Sequence, residues 1–132
     1  MKCKVYEDFV YKLDHNEIFV FGSNEGGKHG KGAAKTAVKF GAIYGIGYGI
    51  QGKTYGIPTK NKNLKVLKLS KIEKYVQKFI KYVKNNEEKH FIITKIGCGL
   101  AGFKEKEIAP LFEELIDYEN VSMPKDFMKY YW

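Results

Sequence analysis

Arginine is absent from this chain. All 23 basic residues are lysine, against 15 acidic ones, which leaves a formal charge of +8. A surplus of that size points first to nucleic acid, because clustered lysines release counterions when they meet phosphate. Bidentate contacts to bases are mainly the work of arginine, so its absence argues against selected readout of base sequence. Thiols are scarce too: Cys3 and Cys98 are the only two, without CxxC spacing or a nearby histidine cluster. That excludes a disulfide framework and gives no sign of a zinc site, so neither metal nor cofactor is expected. No apolar run approaches the ~20 residues that span a bilayer, and Met1-Lys2-Cys3-Lys4 leads into polar sequence rather than the apolar core of a signal peptide. The expected address is the cytoplasm, with no membrane partner. Repeats, linkers and low-complexity tracts are also missing.

What is present suffices for one core. With 44% hydrophobic residues, ten Tyr and nine Phe in 132 residues, the chain reads as a single α/β domain over residues 1–132 that folds alone as a monomer. Two glycine-rich loops dominate it. Gly22-Ser23-Asn24-Glu25-Gly26-Gly27-Lys28-His29-Gly30-Lys31-Gly32 follows the apolar run Ile18–Phe21, and Gly97-Cys98-Gly99-Leu100-Ala101-Gly102 follows the apolar run Phe91–Thr94. Each leads into a helical pattern. A strand, glycine loop and helix in that order present unpaired backbone N–H groups and a positive helix end to an anion, so two such loops suggest a diphosphate.

The remaining pattern alternates strands and helices. A short strand is expected near Lys4–Tyr6, a buried one over Glu17–Phe21, and a helix from Gly32 to Phe40. The glycine-punctuated stretch from Gly41 reads as a strand pair turning near Gln51-Gly52, with Tyr55–Pro58 the second strand and Thr59-Lys60 at its end. Gly45-x-Gly47-x-Gly49 has the wrong spacing for a dinucleotide fingerprint. Ser70 and Glu73 form the sequence pattern of a capping box opening a helix to about Asn85, with Ile72, Tyr75, Val76, Phe79, Ile80 and Val83 on one stripe and lysines on the solvated faces. A last helix is expected over Glu105–Tyr118, and Val121–Met123 as an edge strand before Pro124.

These residues carry a resemblance. Val20-Phe21-Gly22-Ser23-Asn24, the glycines after it and Gly32-Ala33-Ala34 at a helix start resemble the first ligand loop of macrodomains. Ile96-Gly97-Cys98-Gly99-Leu100 is similar to their second, phosphate-clasping loop, above all in the terminal ADP-ribose glycohydrolase branch. Between the two, Ile57-Pro58-Thr59-Lys60 is similar to that branch's strand-end Ile-Thr-Lys, whose lysine is the nucleophile. The resemblance spans about residues 17–118, and the chain also looks like uncharacterised macrodomain-like proteins of bacteria and phages.

It implies a three-layer α/β/α macrodomain-like fold around a central mixed sheet, and ADP-ribose or a related NAD-derived nucleotide as ligand. Gly22, Ser23, Asn24, Gly30, Gly32 and Ala33 would contact it from the first loop, and Gly97, Cys98, Gly99, Leu100, Ala101, Gly102 and Phe103 from the second. Lys60, Asn24 and His29 are the catalytic candidates for hydrolysis of an ADP-ribosyl bond, with Glu25 an alternative to His29 in proton transfer. Asn24 reads either as a ribose contact or as an Asx turn closing the strand; His29 either as a titrating loop residue or as an exposed one. Cys98 reads either as an activated thiol or as a small residue filling the loop's underside. Asp8 and Asp14 both stand as candidates to hold the adenine amino group. Two departures touch the chemistry: Lys31 and Ala101 occupy places where related enzymes keep carboxylates. A non-catalytic ADP-ribose reader and a basic nucleic-acid-binding domain are the alternative functions.

Overall fold

The computed structural model describes residues 1–10 and 12–131. Six strands form one mixed sheet: β1 (Lys4–Tyr6), β2 (Glu17–Asn24), β3 (Gly49–Gln51), β4 (Thr54–Lys60), β5 (His90–Ile93) and β6 (Val121–Pro124), in the order β1-β6-β5-β2-β4-β3. Every neighbouring pair is parallel except β3 with β4, which is the antiparallel pair expected around Gly52. Parallel strands are normally covered on both faces, and β2 shows why this one is. Ile18 and Val20 point into the larger apolar cluster, with Ile72, Val76, Phe79, Ile80 and Val83 of α2 (Leu69–Lys84); Phe19 and Phe21 point the other way, against Ala34 and Ala37 of α1 (Gly32–Val38). Alternate residues of one strand therefore serve two cores.

Four boundaries differ from the sequence reading. β2 continues through Gly22-Ser23-Asn24, because β4 runs beside it as far as Asn24 and Lys60. The capping box is not formed: α2 begins at Leu69, Lys68 is its N-cap, and no side chain caps it. The expected helix over 105–118 is α3 (Glu105–Ile108) followed by a 3₁₀ segment, Ala109–Asp117. Pro110 supplies the reason, since it has no N–H to give and its ring crowds the carbonyl one turn back. Finally, β6 is no edge strand; it lies between β5 and β1, and β1 takes the exposed edge.

The consequence for function lies at the carboxyl ends of the parallel strands. β2 and β4 finish side by side at Asn24 and Lys60, and Thr94, just past β5, donates its N–H to Val20 O at 3.2 Å. Ligands of open α/β sheets gather outside such strand ends.

Candidate functional site

The first loop is held from three sides. Asn24, 6% exposed, uses both ends of its amide on one residue: Oδ1 accepts from Lys28 N at 2.9 Å and Nδ2 donates to Lys28 O at 2.8 Å. Glu25 N donates to Lys60 O at 2.9 Å, tying the loop to the end of β4. The Glu25 carboxylate accepts from Tyr75 Oη at 2.6 Å and pairs with Lys71 at 3.0 Å; those bonds hold it below the usual carboxylate range and raise Tyr75 to about 12, with burial the largest cause for the tyrosine. On the third side the stretch 43–48 packs over β2. Ser23 Oγ donates to Gly47 O, and a side chain at Gly47 would collide with Asn24 O.

His29 belongs to that buttress and not to an exposed loop tip. It is fully buried, between the rings of Phe21 (5.5 Å) and Tyr44 (5.6 Å). Nε2 lies 2.9 Å from Ile43 O and 3.0 Å from Ile46 O. Both partners are acceptors, so Nε2 carries the proton and the neutral ring leaves Nδ1 as an acceptor without a partner. Gln51 reads the same turn, accepting from Ile43 N at 2.7 Å and donating to Ile46 O at 3.0 Å. The glycine-rich stretch after Gly41 is thus partly a scaffold for the first loop, becoming strand only at Gly49.

The second loop folds on its own backbone: Cys98 N donates to Lys95 O (3.1 Å), Gly102 N to Gly99 O (3.0 Å) and Phe103 N to Gly97 O (2.9 Å). Gly97 has φ +76°, and a side chain there would press on Ile108 and Phe103. Its glycine is structural. Gly30 and Gly99 are different: neither has a left-handed φ, and an added Cβ would meet nothing within 4 Å. Packing of the protein gives no reason for glycine at either, and both face the same open space.

That space is a cleft of about 590 Å³. Among the sequence candidates Gly22, Ser23, Asn24, Gly30, Gly32, Ala33, Lys60, Gly97, Gly99, Leu100 and Ala101 line it. Four do not. His29 is sealed beneath the first loop; Cys98 and Phe103 pack against the main core; and Gly102, at φ +83°, turns the chain away toward α3. Burial is the main cause raising the Cys98 thiol to about 11, so the activated-thiol reading gives way to the packing one. Glu25 is engaged by α2 and does not line the cleft either.

Four lysines line it, namely Lys28, Lys31, Lys60 and Lys95, and no carboxylate does among the described residues. Lys95 is neutralised by Asp126 at 2.9 Å and Glu105 at 3.3 Å, whereas the other three make no ion pair among the described residues. The backbone N–H groups of Gly30, Leu100 and Ala101 meet no acceptor among the described residues. Unpaired N–H groups and ammonium groups facing one space without acid suit an anionic ligand. Lys31, read in the sequence only as a missing carboxylate, and Lys28, Thr59, Leu64, Thr94, Lys95 and Ile96 are lining residues that the sequence reading did not select; nothing in their local pattern marks them.

A second cavity, about 730 Å³, shares Gly32, Ala33, Thr94 and Lys95 with the first, so the two are continuous. Asp8, Phe9, Val10 and Phe19 line it; Asp14 does not, its N–H bonding Glu17 at an exposed turn instead. Of the two acidic candidates, Asp8 is the one beside the cleft. No protein-family model matches the chain, and neither does any curated protein or solved structure.

Proposed function

We propose that this chain is a macrodomain-like protein that binds ADP-ribose or a related NAD-derived nucleotide. One observation carries the reading: the two glycine loops and the strand-end Lys60, far apart in sequence, line a single cleft that is rich in lysine and free of carboxylate among the described residues. The diphosphate would lie between Gly30 and the Gly99–Ala101 backbone, where glycine has no packing role and the N–H groups are unpaired. The adenosine would extend into the adjoining cavity toward Asp8, whose carboxylate suits the adenine amino group. Sheet faces covered on both sides accord with the three-layer arrangement that the resemblance implies.

Hydrolysis of an ADP-ribosyl bond would rest on Lys60. Its deprotonated amine would attack the anomeric carbon of the distal ribose, the bond to the carried group would break with the electron pair leaving on that group, and water would release the sugar from the lysine adduct. Buried His29 offers no proton transfer in the cleft, and no carboxylate lines it to assist. That lack favours a second reading, a non-catalytic ADP-ribose reader using the same pocket.

Calorimetry with ADP-ribose, AMP and a short DNA duplex at two salt concentrations tests the binding. Selective ADP-ribose binding with little salt dependence supports it; steep salt dependence on DNA without nucleotide binding refutes it in favour of a nucleic-acid-binding domain. Release of ADP-ribose from modified protein by wild type and by Lys60→Ala then decides between enzyme and reader. Equal release by both removes Lys60 from any mechanism.

A further inference from the structure

Leu64 is the only described non-glycine residue with a positive φ, +63°. Left-handed backbone is costly for a branched side chain and is normally left to Gly or Asn. The chain holds it there firmly: Asn61 Oδ1 accepts from Asn63 N (2.8 Å) and Lys65 N (3.0 Å), Leu64 N donates to Asn61 O (3.0 Å), and Asn61 N donates to Lys65 O (2.8 Å). The leucine gains little burial in return, being 48% exposed in an otherwise polar loop. Strain at a position that packing does not reward is a mark of function.

Its side chain lines the cleft, and a second exposed leucine meets it there from another wall. Leu100 is 66% exposed and lines the same space from the second glycine loop. Its Cδ1 lies 3.7 Å from where a Cβ on Gly32 would sit, so Leu100 reaches across from the second loop to the start of α1. Leucine contributes nothing to holding phosphate, which the unpaired N–H groups and Lys28, Lys31 and Lys60 can do. A leucine at the mouth gains by covering carbon.

We propose that Leu64 and Leu100 are specificity-determining contacts that close on the carbon-rich face of a sugar carried beyond the diphosphate, so the site selects a nucleoside diphosphate sugar over the bare nucleoside diphosphate. The inference rests on the nucleotide-binding reading above. Leu64→Gly tests it cleanly, because the substitution relieves the backbone while removing the contact. Calorimetry should show ADP-ribose affinity falling by roughly 5- to 20-fold, the scale of a partly buried leucyl side chain, with ADP affinity unchanged and the melting temperature raised. Leu64→Asn, which also tolerates this φ, should lose ADP-ribose affinity to the same degree. Wild type that binds neither nucleotide removes the site itself. Wild type that binds ADP-ribose no better than ADP, or Leu64→Gly that keeps full ADP-ribose affinity or loses ADP equally, overturns the role of the leucines and leaves the site standing.

Discussion

Asn24→Ala separates a residue that touches ligand from one that shapes the loop. In the structure the amide makes two bonds to the Lys28 backbone, at 2.8 and 2.9 Å. A neutral hydrogen bond is worth about 1 kcal/mol net. Lys28 is exposed, so water can take over its freed N–H and C=O, and the penalty stays near the sum of the two bonds rather than the larger cost of orphaned buried groups. The expected loss is therefore about 2 kcal/mol, which for a domain of this size lowers the melting temperature by roughly 6–10 °C. Thermal unfolding reads that loss, and amide hydrogen exchange locates it: protection at Lys28 N–H should fall more than at the β2 amides. ADP-ribose affinity should fall as well, because the ligand must then order the loop, and saturating ligand should restore part of the protection. An Asn24→Ala protein with unchanged melting temperature and Lys28 protection but abolished binding would refute the clamp and return Asn24 to direct ligand contact.

Three further outcomes follow from the same geometry. His29→Ala removes a fully buried ring and its donor to Ile43 O and Ile46 O, so it should cost about 3 kcal/mol by denaturant titration; an unchanged midpoint with lost ADP-ribosyl hydrolysis would instead make it catalytic. Gly47→Ala places a Cβ on Asn24 O, and should destabilise by about 2 kcal/mol or more and loosen the first loop together with residues 43–48, as hydrogen exchange would show. His90 lies beside Ser122, with Nε2 2.7 Å from Oγ, and burial is the first cause lowering its pKa, ahead of the nearby Lys4. A lowered folded value means that the unfolded chain binds the proton first, so stability is full at pH 7.5 and declines as pH falls through the ordinary histidine range of about 6.5. Urea titrations at pH 7.5 and 5.5 should show a drop that His90→Gln flattens; an equal drop in the variant would assign the effect elsewhere.

The sequence by itself determined the strands and the order of the chemistry. Apolar β-branched and aromatic runs mark β2, β4 and β5 because central parallel strands are buried on both faces, and the glycine clusters after two of them announce backbone open to a ligand. The 3.6-residue stripe of α2 was equally legible. Side-chain assignments within the loops were not. His29 and Gly30 are neighbours in one glycine-rich stretch, yet one is sealed under Phe21 and Tyr44 while the other faces the cleft, and only the packing of residues 43–48 separates them. Leu64 carries no local mark at all, since its strain is a property of φ and its position that of a loop folded back on Lys60 and Val66. The gathering of Lys28, Lys31 and Lys60 at one space likewise needed parallel strands to end side by side. Periodicity and glycine placement are written in adjacent residues; which polar groups are occupied, and which remain open to a ligand, is decided by partners distant in the chain.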